Sequence, residues 1–134
     1  MYWFNILKTL FVKSILFLNL SFAASVGMAK EYMPANLAFK PTLQGNVITI
    51  SIAEGHYLYQ NRINILSQNK PVKFTFITKA IVKKFPNQGN FVVFLDKAQM
   101  KIPSNLKYPI TVQYQGCSSV GLCYPPQQVA LKAK

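Results

Sequence analysis

From residue 46 onward, apolar and polar side chains alternate along most of the chain with a period of two. In Asn46-Val47-Ile48-Thr49-Ile50-Ser51-Ile52 the isoleucines fall on one face and Thr49 and Ser51 on the other, the signature of a half-buried strand. The same alternation runs through Ile63/Ile65, Val72/Phe74/Phe76 opposite Lys73/Thr75, Phe91/Val93/Leu95, Ile110/Val112/Tyr114 opposite Thr111/Gln113, and Val129/Leu131. Turn formers punctuate these runs at Gly45-Asn46, Glu54-Gly55, Gln68-Asn69-Lys70-Pro71, Pro86-Asn87-Gln88-Gly89, Pro103-Ser104-Asn105 and Pro125-Pro126. Helical periodicity is scarce. About seven or eight short strands separated by such turns predict an all-β fold, an immunoglobulin-like two-sheet sandwich.

The N-terminal region follows another rule. Lys8 and Lys13 precede the apolar run Ser14–Ala23, and small-x-small patterns end at Ala23 and Ala29. Residues 1–29 are therefore expected to be a secretory signal peptide cleaved after Ala23 or Ala29, with the domain occupying 30–134. Lys13 leaves the run short of the roughly 20 apolar residues that cross a bilayer. No cysteine follows it to carry a lipid. The expected product is an exported domain without stable membrane insertion, folding in an oxidising compartment.

Composition narrows the partners. Fifteen Lys and Arg face only Glu31, Glu54 and Asp96, a formal charge of +12 that falls to +10 once Lys8 and Lys13 leave with the signal. Such a field favours acidic partners or anionic surfaces. Nucleic acid is not expected, because the lysines are scattered through strand-like segments and Arg62 is the sole arginine, so no cluster is available for phosphate or base contacts.

The chemistry concentrates at the far end. Cys117 and Cys123, the only cysteines, flank Ser-Ser-Val-Gly-Leu, with Gly116 and Gly121 beside them. The two thiols can meet if the chain reverses, and both glycines are expected to supply the free φ that a tight reversal uses. On the chain-entropy account a loop this short is worth at most about 2.4 kcal/mol, so the bridge is a modest staple. Two thiolates and a lone histidine, His56, do not make a zinc set; neither metal nor cofactor is expected. Pro125 and Pro126 bar regular ladder pairing just after Cys123, which makes Cys123 the more reachable sulfur. Spacing alone leaves two readings open: a dithiol that exchanges with a partner's disulfide, or a structural disulfide holding a loop of a non-enzymatic, basic immunoglobulin-like binding module.

Tyr114-Gln115-Gly116-Cys117, Gly121 and Cys123-Tyr124-Pro125-Pro126 resemble the active-site signature of the N-terminal periplasmic domain of the thiol:disulfide interchange protein DsbD family. Pro34–Phe39 resembles that domain's start, and Gly55-His56-Tyr57-Leu58-Tyr59 its Gly-Tyr-Tyr-Leu-Tyr strand. The resemblance implies a periplasmic, immunoglobulin-like carrier of reducing equivalents associated with disulfide isomerisation and cytochrome c biogenesis. Cys123 would form mixed disulfides and Cys117 would resolve them, with Tyr57 and Tyr59 near the pair; Tyr124, next to Cys123 in sequence, is a further aromatic neighbour expected around it. Implied partners are thioredoxin-fold periplasmic proteins, either disulfide isomerase-like or cytochrome c maturation-like. Because this chain stops where the family continues into membrane and thioredoxin-like domains, a separate membrane electron conduit is also implied. The family's cap loop, acidic and aromatic, has its nearest counterpart in Lys83–Gly89, where the acids are gone and Phe85 is the candidate cover.

Overall fold

The computed structural model describes residues 32–132; the segment read as a signal peptide lies outside them. A single short helix, α1 (Ala35–Ala38), leads into twelve strands among the described residues: β1 (Phe39–Gln44), β2 (Val47–Ile52), β3 (His56–Tyr59), β4 (Asn64–Ser67), β5 (Lys70–Pro71), β6 (Thr75–Phe76), β7 (Ile81–Phe85), β8 (Gly89–Phe94), β9 (Lys97–Lys101), β10 (Ile110–Tyr114), β11 (Gly116–Ser118) and β12 (Gln127–Leu131). A 3-10 turn at Gln60–Arg62 joins β3 to β4. The fold is all-β and immunoglobulin-like, as the period-two pattern predicts.

Its strands form three antiparallel ladders in the orders β1-β2-β9-β6, β12-β10-β4-β5 and β11-β3-β8-β7. The first two make the sandwich. Across the first, Leu43 pairs with Ile48, Ile48 with Met100 and Met100 with Phe76. Across the second, Val129 opposes Val112 and Val112 opposes Ile65. Since side chains alternate faces, one register sends each row inward, and these residues join one core, where Ile48, Met100 and Val112 are fully buried. Removing side chains of this size from water stabilises by about 1.5–3 kcal/mol each.

Three local expectations are corrected. Leu95 does not continue the Phe91/Val93 face: β8 ends at Phe94, and the chain turns at Leu95-Asp96 to join the first ladder, where the Ile52 amide donates to the Asp96 carbonyl, leaving Leu95 exposed. The Val72–Phe76 run is strand only at Thr75–Phe76: β5 ends at Pro71, and Val72–Phe74 cross from the second ladder to the first outside any strand. Lys83–Gly89 is not a loop throughout. Lys83, Lys84 and Phe85 end β7, Phe85 pairs with Gly89, and only Pro86–Gln88 turn.

Candidate functional site

The third ladder carries the cysteines. β3 and β8 each place alternate residues on opposite faces, so Leu58 and Phe94 enter the main core while Tyr57 and Val93 enter a smaller cluster with Cys117. Packed against that cluster are Tyr59, Phe85 and Phe91. The site is thus a second, aromatic core built on the reverse side of strands that anchor the first.

Cys117 and Cys123 form a disulfide with Cα atoms 4.0 Å apart. Cys117 is fully buried in β11, opposite Tyr57 of β3. Cys123 faces it across an isolated bridge and is exposed. The reversal between them is fixed by main-chain bonds: the Ser118 amide to Leu122 O at 2.6 Å, the Gly121 amide to Ser118 O at 3.2 Å and the Tyr124 amide to Gly116 O at 3.0 Å. No strand resumes until Gln127, as the prolines require. Gly121 has a φ of 101° and fits its expected role, but Gly116 does not. What Gly116 provides is space, since a Cβ there would meet Tyr57 O, Phe39 Cζ at 2.5 Å and Leu58 Cδ2 at 2.9 Å.

The Tyr59 hydroxyl lies 3.3 Å from Cys117 Sγ; a disulfide sulfur bears no hydrogen, so the phenol donates. Tyr57 is edge-on to Tyr59 at 5.7 Å and tilted against Phe85 at 5.3 Å. Burial, helped by the neighbouring Tyr59 hydroxyl, pushes the Tyr57 phenol up to about 12, so it stays uncharged beside the buried sulfur. Lys83 Nζ stands 4.8 Å from the Tyr57 ring centre and 5.4 Å from that of Phe85, within cation–π range. Among the described residues, no three His, Cys, Asp or Glu side chains come together to hold a metal ion.

Of the residues singled out in the sequence, Tyr57, Tyr59, Phe85 and Cys117 meet in one cluster. Tyr124 sits apart from it: its buried ring packs edge-on to Phe39 at 5.6 Å in the main core, and its hydroxyl donates to Met33 O. His56 engages both ring nitrogens, Nδ1 with Glu54 O at 3.0 Å and Nε2 with the Tyr124 hydroxyl at 3.2 Å. Phe91 joins the site unanticipated, 5.6 Å from Tyr59 and 5.5 Å from Phe85. Its alternation with Val93 placed it on an inward face, but period-two reading cannot tell which of two cores that face lines.

The chain is similar to known proteins in both sequence and fold. A profile of the family described as thiol:disulfide interchange protein DsbD, N-terminal, matches residues 29–133. DsbD of Escherichia coli (strain K12) and DsbD of Shigella flexneri serotype 5b (strain 8401) are each 27% identical over 104 residues, which cover 72% of this chain. The chain spans only 18% of the length of these curated relatives. Among solved structures, the reduced N-terminal domain of Neisseria meningitidis DsbD superposes with a TM-score of 0.62 at 27% identity, over 76% of this chain and 89% of that one. The complex between the DsbD N-terminal and PilB N-terminal domains of the same organism gives 0.58 at 27% identity, over 75% and 86%. With the profile spanning all the described residues and both cysteines inside it, this chain belongs to the DsbD N-terminal domain family.

Proposed function

We propose that the protein is a periplasmic thiol–disulfide exchange carrier, passing reducing equivalents from a membrane-linked thioredoxin-like donor to periplasmic disulfide partners through Cys117 and Cys123. The observation that carries this reading is the asymmetry of the bridge, with Cys117 fully buried against Tyr59 and Cys123 an exposed residue. A bridge meant only to staple a loop gains nothing from an exposed sulfur, whereas exchange requires a reachable one.

In the reduced carrier, the Cys123 thiolate attacks one sulfur of a partner disulfide. A mixed disulfide forms and the partner's other sulfur leaves as a thiolate. The Cys117 thiolate then attacks Cys123 Sγ, closing the intramolecular bridge and releasing the partner as a dithiol, two electrons having passed to it. Tyr59 is placed to donate a hydrogen bond to whichever form of Cys117 Sγ is present. Reloading runs the same exchange in reverse with a reduced donor.

The test is reduction of the purified protein's disulfide by a reduced thioredoxin-fold donor at catalytic concentration, the donor being recycled by its own reductase. Turnover of many equivalents of this protein per donor is expected. Stoichiometric or no reduction would favour the alternative, a basic immunoglobulin-like binding module with a structural disulfide.

Phe85 offers a second check. Its partly buried ring leans on Tyr57 and Phe91, and in this reading it shields the Cys117 side of the pair as an aromatic cover. Phe85→Ala should raise the rate at which small thiols reduce the bridge several-fold through access alone. An unchanged rate would assign the cover elsewhere.

A further inference from the structure

His56 and Tyr124 meet where three stretches of chain converge outside the aromatic cluster. Tyr124 follows the exposed Cys123, His56 opens β3 opposite Ser118 of β11, and Met33 precedes α1. The hydrogens at this junction can be counted. The Tyr124 hydroxyl has one, and gives it to Met33 O, a carbonyl that only accepts, at 2.5 Å. Toward His56 Nε2, 3.2 Å away, the same hydroxyl oxygen is therefore an acceptor, and Nε2 must carry a hydrogen. Glu54 O, 3.0 Å from Nδ1, is also a carbonyl, so Nδ1 must carry one too. An imidazole with hydrogens on both nitrogens is the cation.

A neutral ring holds one hydrogen and cannot serve both acceptors. If Nε2 kept it, the bare Nδ1 lone pair would face Glu54 O, and that carbonyl is not free to withdraw. The turn bearing it is tied by the His56 amide to Ala53 O at 3.1 Å, and by the Ser119 amide and hydroxyl to Gly55 O at 2.8 and 3.0 Å. If Nδ1 keeps the hydrogen, Nε2 becomes an acceptor, and the Tyr124 hydroxyl can turn about its C–O bond and donate there instead. That rearrangement moves one hydrogen and no heavy atom of the buried ring. It leaves Met33 O without its donor, at a residue 42% exposed, where water can take over.

We infer that His56 is a proton-operated switch on the Tyr124 hydroxyl. The charged ring directs the hydroxyl to Met33 and fastens the segment before α1 to the residue after Cys123; the neutral ring takes the hydroxyl for itself and releases that segment. Histidine ordinarily changes charge between about pH 5 and 8. The hollow that His56 lines also takes in Glu54 and Asp96, which favour the charged ring, Lys83, which opposes it, and the Tyr57 phenol. Ser118 of β11 and Phe39 of β1, edge-on to the imidazole at 5.9 Å, do not titrate, nor do the cysteines while they are bridged. The inference does not depend on the exchange reading, since the junction switches in the same way in a domain whose bridge is only structural.

NMR of the isotope-labelled, oxidised protein, titrated from about pH 5 to about pH 8, reads the ring nitrogens and the Met33 carbonyl carbon together. Both nitrogens should carry hydrogen at the acid end. Toward the alkaline end Nε2 alone should lose it, and the Met33 carbonyl signal should shift with the same midpoint. Tyr124→Phe keeps the ring and removes the hydroxyl, so its imidazole should still titrate while the Met33 shift is lost. His56→Gln, which leaves the Tyr124 side chain whole, should hold the Met33 signal constant across the range. A ring that keeps one charge state throughout, or that loses the Nδ1 hydrogen instead, would overturn the inference. So would a Met33 signal indifferent to the ring, or one that moves equally in either variant. Each of these outcomes leaves the exchange reading standing, because no step of the titration involves the sulfurs.

Discussion

Cys117→Ser is expected to accumulate a covalent adduct with a thioredoxin-fold partner, whereas Cys123→Ser accumulates little, a difference on the order of tenfold or more because only the second cysteine clears the mixed disulfide. The two sulfurs are six positions apart in sequence and share one bridge, yet they occupy different environments. Cys117 is enclosed by Tyr57 and Val93 and receives the Tyr59 hydroxyl. Cys123 lies beyond the reversal, followed by two prolines that keep the chain out of any ladder until β12. A partner sulfur can therefore approach Cys123 without moving β3, but cannot reach Cys117 without displacing it. Removing Cys117 leaves the attacking thiol in place and deletes the group that would release the partner. Non-reducing gels of the two variants incubated with an oxidised thioredoxin-fold protein, and rerun with reductant, read the outcome directly. Equal trapping would remove the asymmetry; adducts from Cys123→Ser alone would reverse the roles; none from either would return the bridge to a structural part.

How legible this arrangement is in the sequence differs from strand to strand. β2 and β10 announce themselves, since Ile48/Ile50/Ile52 and Ile110/Val112/Tyr114 alternate strictly with polar partners, and all six are buried. β9 does not. Its inward residues are Ala98 and Met100, both fully buried but neither a strong strand former, and its outward residues Lys97 and Lys101 read as solvent-exposed loop as easily as strand. β7 is hidden for the opposite reason: Ile81 and Val82 are adjacent and both exposed on the outermost strand of a ladder, so no alternation marks it.

The site was legible in its chemistry and less so in its surroundings. Tyr57, Tyr59 and Phe85 stand with Cys117 in one cluster, although they come from strands far apart in the sequence. What no one-dimensional pattern conveys is that β3 and β8 are two-sided, giving Leu58 and Phe94 to one core and Tyr57 and Val93 to another. That division draws in Phe91, and it sets Tyr124, next to Cys123 in sequence, among the residues of the main core instead.

Gly116→Ala should be the most damaging small substitution in this part of the chain, lowering stability by about 1–3 kcal/mol or more through overpacking. For a domain of this size that corresponds to a fall in melting temperature of very roughly 4–20 °C. The cause is not φ. β11 lies against β3 with Gly116 opposite Leu58, and a methyl group would collide at once with Tyr57 O, Phe39 Cζ and Leu58 Cδ2. A main-chain carbonyl cannot rotate out of the way as a side-chain terminus can, and Phe39 and Leu58 are themselves fully enclosed in the main core. The strand must therefore back away. Gly116 O also accepts from the Tyr124 amide, so any retreat loosens the reversal and opens the pocket around Cys117. The reduced variant should accordingly alkylate at Cys117 faster than the unmodified protein, measured by mass spectrometry of the labelled peptide alongside the thermal scan. Gly121→Ala is the matching control: its added carbon meets nothing within 4 Å, and only the φ of 101° opposes it, a local cost at an exposed turn of about 1–3 kcal/mol that leaves the packing around Cys117 intact. If Gly116→Ala melts with the unmodified protein and keeps Cys117 protected, the close approach of β11 to β3 is not what holds the buried sulfur in place.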